Sequence, residues 1–237
     1  MAGLTVVTWN AQGSQGLDVA AAAAGLQAFD PDLVFMQEVQ RRQLGALGSA
    51  LGGVEARWRF KHWPVTVPAE GLGILSRRPL GDVHVQVLAH RWRFWDWRRR
   101  IAVHASVEIG SRRIHVVDVH LGAGVTMDER VRQAEQLMRH APSARIIAGD
   151  FNATPAGAVL AACAHDGWRD AEHRIRGDSA CPPTNWTPGP RTAPPTQRLD
   201  YLLVDDDVTV VEAFVPDHWG SWAPLSDHLP AVARLGI

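Results

Sequence analysis

The run Arg145-Ile-Ile-Ala-Gly-Asp-Phe-Asn-Ala-Thr-Pro155 carries a carboxylate, Asp150, and a carboxamide, Asn152, two residues apart beyond a short apolar stretch. Side chains of an extended chain repeat every two residues, so both leave it on the same side. Held there, they can orient a hydroxyl nucleophile or a hard cation. Asp and Asn also make ordinary turns, so the pair gains meaning from its company. Other strands begin or end in the same chemistry: Asn10, Glu38, Asp118 with His120, Asp200, and Asp227 with His228. Singly, each has a structural explanation: a turn for Asn10, a helix first-turn carboxylate for Glu38, a place inside its strand for Asp118, buried pairing for Asp200, an exposed loop for His228. Together, so many acids, amides and imidazoles at strand ends point to one shared pocket, because unpaired carboxylates are costly to bury side by side without a cation. Such an inventory suits phosphoester hydrolysis. Oxygen ligands hold a hard cation against phosphate charge, and imidazoles held by carboxylates move protons near neutral pH. Neither Cys163 nor Cys181 falls within these motifs, and no thiol nucleophile is needed.

Strands must position these residues. Apolar and β-branched runs predict strands over 4–9, 33–39, 71–76, 83–88, 101–109, 114–119, 145–148, 199–204, 208–215 and 229–235. Gly149 is expected to end the central one. Residues 54–63 alternate, with Val54, Ala56, Trp58 and Phe60 on one face and Glu55, Arg57, Arg59 and Lys61 on the other, as in a half-exposed antiparallel strand. Asp18 is placed to cap an Ala-rich helix that stops before Pro31. A helix from about Gln40 carries Leu44, Leu47 and Leu51 on one stripe, with Gly52 past its end. Thr126 and Glu129 form a capping box, and Thr154-Pro155 reads as an N-cap and first helical residue. A loop rich in Pro, Thr and Gly over 179–197 is long enough to suggest function. No linker divides the chain, so 1–237 is expected to be a single domain of mixed sheets covered by helices.

Thr8-Trp9-Asn10, Gln37-Glu38, Asp118-Val-His120-Leu121, Gly149-Asp150-Phe151-Asn152, Arg198-Leu-Asp200-Tyr201 and Ser226-Asp227-His228, in this order and spacing, resemble the motifs of the endonuclease/exonuclease/phosphatase superfamily. The resemblance runs from the first strand to the last. It implies a deoxyribonuclease-I-like α/β fold, a four-layered αββα sandwich, with a Mg²⁺- or Mn²⁺-dependent phosphoesterase site at one sheet edge. It also implies roles. Glu38 is the main metal ligand, assisted by Asn10 and Asp227. Asp150 orients or deprotonates the attacking water, and Asn152 holds the nucleophile or phosphate. His228, its tautomer fixed by Asp200, and His120 contact the phosphate from two sides, with Glu70 in the place of a carboxylate that partners this second histidine. Gln12 stands where the abasic-site endonucleases carry a metal-binding aspartate, and His120-Leu121 replaces their tyrosine, which argues against abasic-site repair. Residues 8–14 look more like the nuclease subunits of bacterial genotoxins, a local likeness.

The stretch His90-Arg-Trp-Arg-Phe-Trp-Asp-Trp-Arg-Arg-Arg100 is the densest oddity in the chain. Arg98, Arg99, Arg100, Trp95 and Trp97 could grip phosphates and stack bases, or meet lipid headgroups as a peripheral membrane surface. Alternatively the stretch is a hairpin whose tryptophans pack while its arginines stay solvated. Asn185 in the long loop could line the pocket. His62, His84, His104, His115, His140, His165 and His173 show no ligand spacing and read as incidental. A net charge of −1 leaves any basic surface local, and Lys61 is the one lysine among 24 basic residues, read as genome bias before phosphate preference. The chain opens directly into a strand with no signal peptide and no membrane-spanning run, so a cytoplasmic monomer is expected, secreted if a leader has been removed. The reading is a metal-dependent phosphodiesterase acting on DNA or RNA. Its alternatives are a phosphatase or phosphodiesterase for a phospholipid, inositol phosphate or small nucleotide and, more remotely, a silent phosphate-binding module.

Overall fold

The computed structural model describes residues 2–62, 69–93, 96–141, 143–177, 181–186 and 190–237, with the backbone alone at 62, 90–93 and 96–98. In chain order the first six strands are β1 (Gly3–Asn10), β2 (Leu33–Val39), β3 (Glu55–His62), β4 (Glu70–Ser76), β5 (Leu80–Arg93) and β6 (Asp96–Ile109). The remainder are β7 (Arg112–His120), β8 (Ala144–Asp150), β9 (Arg169–Asp170), β10 (Asp200–Val204), β11 (Thr209–Phe214) and β12 (Ala231–Gly236). The helices are α1 (Val19–Gln27), α2 (Arg41–Ala50), α3 (Met127–Arg139), α4 (Ala158–His165) and α5 (Ala171–Arg176).

Hydrogen bonding runs β11-β12-β1-β2-β4-β3, then β6-β7-β8-β10-β9, with β5 on the other edge of β6. Among the described residues the two halves are joined by a single register pair, His62 with Arg98. They therefore pack face to face as two six-stranded mixed sheets, with β1 and β2 of the first against β7, β8 and β10 of the second. Each sheet has one parallel pair, β1 with β2 across α1 and β7 with β8 across α3, the connection that parallel neighbours require. One apolar cluster fills the space between the sheets and beneath α1 and α2. A second, including Val119, Leu137, Phe151, Val159 and Tyr201, seals α3 and α4 onto the outer face of the second sheet. The order helix, sheet, sheet, helix is the four-layered sandwich expected from the motifs.

Local chemistry sets most element starts. Asp18 accepts from Ala21 N, and Thr126 accepts from Glu129 N. Gln40 and Gln43 cap α2 reciprocally. Three expectations need correction. Gly149 does not end the central strand, because β8 continues through it to Asp150. Thr154 is not an N-cap: its carbonyl accepts from Gly157 N at 2.9 Å, so Pro155 sits inside a turn and α4 starts at Ala158. The strands over 83–88 and 101–109 extend into one long hairpin of β5 and β6 that takes in the Arg/Trp stretch. Its tip, including Trp95, lies outside the described residues, as do 63 and 179–180.

The histidines read as incidental are partly gathered by this sheet. His84 on β5 stacks on His104 of β6 with ring centroids 4.7 Å apart, and His104 Nδ1 lies 3.1 Å from Nε2 of His115 on β7. Burial, with His115, His84 and His140 adding like charge, pushes His104 down to about 3 from the ordinary 6.5. The unfolded chain binds that proton first, so the stabilising contribution is complete above about 6.5 and is lost as pH falls toward 3. His104→Gln should therefore narrow the gap in unfolding free energy between about pH 7 and about pH 4.5, read by chemical denaturation. An equal gap in both proteins would show that the cluster is not a source of acid lability.

Candidate active site

The carboxyl ends of the two parallel pairs meet at one edge of the sandwich, where ligands of α/β sheets are commonly held. Asn10 ends β1, Glu38 stands one residue before the end of β2, His120 ends β7, and Asp150 ends β8. Asp150 is in register with His120 on one neighbour and Asp200 on the other, so the three side chains share a face. The last motif is tied to the end of β1. Ser226 Oγ donates to Asn10 O at 2.6 Å and accepts from His228 N at 3.1 Å, while Trp9 Nε1 donates to His228 O at 2.9 Å.

Backbone shape at the strand exits is unusual. Gln12, Glu38 and Asn152 take left-handed φ values of 45°, 52° and 49°. Each costs roughly 1–2 kcal/mol for a residue with a Cβ. β2 is also irregular between Met36 and Val39, which turns Gln37 into the core and Glu38 toward the site. Gln37 Nε2 donates to Asp118 Oδ1 of the facing sheet at 2.7 Å, which gives Asp118 a structural place inside the sandwich.

Asp150 is the centre, with 2% exposure. Asn10 Nδ2 donates to its Oδ2 at 3.0 Å, and Asn152 N donates to its Oδ1 at 2.8 Å. His120 Nε2 and His228 Nε2 stand 3.6 and 3.9 Å from Oδ2. Burial pushes Asp150 up to about 6, with His228 opposing and Asp200 adding like charge. His228 is bound through Nδ1 to Asp200 Oδ2 at 2.8 Å, with Asp200 fully buried. Burial alone pulls the imidazole down, but Asp200, Asp150 and Asp227 outweigh it and lift it to about 10. The result is an imidazole oriented by one carboxylate and turned toward another.

Glu38 and Asp227 are more open, their side chains 27% and 30% exposed. Burial and the nearby charge of Glu38 raise Asp227, with His228 and Arg191 opposing. Asn10 turns its amide nitrogen to Asp150 and its Oδ1 to Gln12 N, 3.1 Å away. Carboxylate and carboxamide oxygens of this kind suit a hard divalent cation. Asp150, Asp200 and His228 also bring one ligand atom each within 4.8 Å of one another, but there His228 Nδ1 already bonds Asp200. Glu70, at the buried start of β4, is bonded by Ser14. Asn152 reaches Leu121 O at 3.1 Å, pinning the loop that follows β7.

All eight residues assigned to catalysis or metal binding are thus brought to one edge. The substrate-contact assignments fare differently. Asn185 donates to Asp227 O at 3.1 Å, and its backbone bridges Gln197 and His228, so it braces the last motif. Arg99 donates to Phe60 O at 2.7 Å, with its guanidinium over the Phe60 ring. The charge of Arg100 is felt at Lys61. Trp95 and the side chains of Trp97 and Arg98 lie outside the described residues.

Lys61 corrects the strand reading. Alternation assigns it to the solvent face of β3, yet it is fully buried. The register with β4 shifts between Phe60 and His62, so Lys61 is the extra residue of a bulge and turns inward. Its Nζ stands 2.7 Å from His120 Nδ1 and 3.9 Å from Glu38 Oε1. Burial, with Arg100, presses its pKa down to about 7 against the pull of Glu38, Glu70 and Asp150. Its isolation as a lone lysine was the one available sequence signal. Arg191 carries no sequence signal: it donates to Gln12 Oε1 at 2.7 Å, and Gln12 Nε2 donates to Asp227 Oδ2 at 3.0 Å. Arg130 Nε donates to Gly122 O at 2.7 Å, a contact that ties α3 to the loop after β7.

The fold agrees with what comparison finds. The chain belongs to the Endonuclease/Exonuclease/phosphatase family, whose model matches residues 7–228. Members of this family are hydrolytic phosphoesterases that work with divalent metal ions. Among solved structures, the endonuclease/exonuclease/phosphatase from Beutenbergia cavernae is 23% identical over 100% of this chain and 72% of that one, with a TM-score of 0.82. The human Nocturnin catalytic domain with bound sulfate anion is 21% identical, covering 99% and 94%, with a TM-score of 0.76. D. rerio TDP2 complexed with single strand DNA product is 18% identical over 100% of both chains, with a TM-score of 0.71. These likenesses show the shared fold. No curated protein matches the chain significantly.

The register of His120 with Asp150 depends on Gly149. Its φ is +150°, and a Cβ there would lie 1.9 Å from Val119 O on the neighbouring strand. Gly149→Ala should lower unfolding free energy by roughly 2–4 kcal/mol, read from the denaturant midpoint, and depress activity with it. A variant with wild-type stability would mean that β7 and β8 tolerate separation at this point.

Proposed function

We propose that this protein is a Mg²⁺- or Mn²⁺-dependent phosphodiesterase that hydrolyses nucleic-acid phosphodiesters by in-line attack of water. The observation that carries the reading is the convergence of Asn10, His120 and His228 on one buried carboxylate, Asp150, beside the more open carboxylates of Glu38 and Asp227. A silent phosphate-binding module would need cations facing a phosphate. It would have no use for a buried carboxylate held between two imidazoles.

In this reading Asp150 accepts the proton of the attacking water, and Asn152 helps to hold that water in line. The raised pKa of Asp150 suits a base that works near neutral pH. His228 is fixed by Asp200 at Nδ1 and so offers Nε2 to the phosphate, as a charged donor or as the acid for the leaving oxygen. His120 offers its own Nε2 from the other side. Glu38 and Asp227, with the amide oxygen of Asn10, would hold the divalent cation. When bound, it would neutralise charge on the phosphate oxygens as a Lewis acid.

Two observations favour nucleic acid. The β5–β6 hairpin, with Arg91, Arg93, Arg98 and Arg100 along it, joins β3 at His62, next to Lys61. Such an arginine-rich ribbon is suited to tracking a phosphate backbone. The solved structure of D. rerio TDP2, of the same fold, holds a single strand DNA product.

Supercoiled plasmid incubated with Mg²⁺, with Mn²⁺ and with EDTA should be nicked only with metal. Glu38→Ala, Asp150→Ala and His228→Ala should each lower turnover by about 10²-fold or more with the fold intact. Full activity in all three would contradict the site, whereas no nicking alongside turnover of a small phosphoester would move the substrate and keep the chemistry. Replacing Arg98 and Arg100 together by Ala, leaving Arg99 of β6 on its Phe60 carbonyl, should weaken binding of DNA and flatten its dependence on salt. An unchanged salt slope would remove the hairpin from the substrate surface.

A further inference from the structure

We infer that Lys61 is a positioning residue, which fixes His120 with its Nε2 proton turned into the site by donating to Nδ1. The inference rests on the phosphodiester reading for its consequence, but not for its geometry. Nε2 on the far side of the ring faces carboxylate oxygens, which accept, and Lys61 Nζ carries donor hydrogens, so the ring nitrogen 2.7 Å from Nζ offers its lone pair. The proton of the neutral ring then belongs to Nε2, the nitrogen that faces Glu38 at 3.9 Å and Asp150 at 3.6 Å. His120 is thereby a donor toward the space between those carboxylates. With Nδ1 protonated instead, Nε2 would turn a lone pair toward two acids and could offer a phosphate oxygen nothing.

The surrounding structure exists to hold this contact. Burying a lysine completely is costly unless its charge is matched, and here Glu38 stands within ion-pair distance. The bulge at Lys61 breaks regular pairing with β4. Arg99 from β6 binds the Phe60 carbonyl at 2.7 Å and approaches the Lys61 carbonyl at 3.5 Å, covering the irregular backbone. Arg99 thus supports the bulge that supports Lys61, which in turn orients His120. His228 reaches the same end by the opposite chemistry, since a carboxylate, Asp200, holds its Nδ1 at 2.8 Å as a donor partner. Two histidines flank Asp150, one oriented by an amine that donates to it and one by a carboxylate that accepts from it.

The test begins with ¹⁵N spectra of the ring nitrogens in the full-length protein without metal, His120 being assigned by loss of its signals in His120→Asn. Nδ1 is expected as the unprotonated, hydrogen-bonded nitrogen, and Nε2 as the protonated one. In Lys61→Met, which keeps the length of the side chain, the two tautomers should mix. Turnover of plasmid by Lys61→Met should fall about 10- to 100-fold in kcat with KM little changed. The melting temperature should fall modestly, because Glu38 loses its buried partner, with the protein still folded at the assay temperature. Ethylamine should restore part of the turnover of Lys61→Ala, which leaves room for it. A protonated Nδ1 in the native protein, or full kcat in Lys61→Met, would overturn the inference. Should the protein cut no phosphoester at all, the spectra still decide whether Lys61 sets the ring, so the two readings fail separately.

Discussion

A carboxylate kept almost wholly out of water at the meeting point of two sheets governs this structure. Asp150 can stay there only if its lone pairs are answered, because an unpaired buried charge costs several kcal/mol. The answers arrive from four separate parts of the chain: the amide of Asn10 from the first strand, the backbone of Asn152, and the imidazoles of His120 and His228. Each of these is anchored in turn, His228 by Asp200, His120 by Lys61, and Asn10 by Ser226 and Gln12. The sandwich can be understood as the device that makes those four parts arrive together.

Parallel pairing does the coarse work. β1 with β2 and β7 with β8 each deliver two strand ends to the same edge, and face-to-face packing of the sheets makes the edges coincide. Bulges and left-handed turns do the fine work. The irregularity in β2 releases Glu38 from strict alternation, and the one in β3 does the same for Lys61. Of the five non-glycine residues with positive φ among those described, three (Gln12, Glu38 and Asn152) border the site. Such conformations persist where surrounding contacts enforce them, and here they aim side chains that regular strands would point elsewhere.

Much of this is legible in sequence, for a physical reason. Strand ends carrying Asn10, Glu38, His120, Asp150, Asp200 and His228 stand out because polar groups otherwise avoid the margins of buried runs. Helix starts at Asp18 and Thr126 declare themselves through caps, which are local. Lys61 could not be placed, because alternation assumes a regular ladder and a bulge is visible only once the partner strand is known. Arg99 reads as a phosphate contact until the carbonyls of Phe60 and Lys61 appear beside it. The clustering of His84, His104 and His115 depends on the order of β5, β6 and β7 and leaves no trace in spacing. Gly149 looks like a terminator, whereas its real role is to let Val119 approach.

The division of labour proposed for this edge, with the cation on the open carboxylates and Asp150 left as base, is tested most directly by locating a bound ion. A crystal grown with Mn²⁺ and measured for anomalous scattering would do so. The ion is expected on oxygens of Glu38 and Asp227, with the His228 to Asp200 hydrogen bond intact. An ion lodged instead among Asp150, Asp200 and His228, with that bond broken, would contradict the assignment and leave the site without its base.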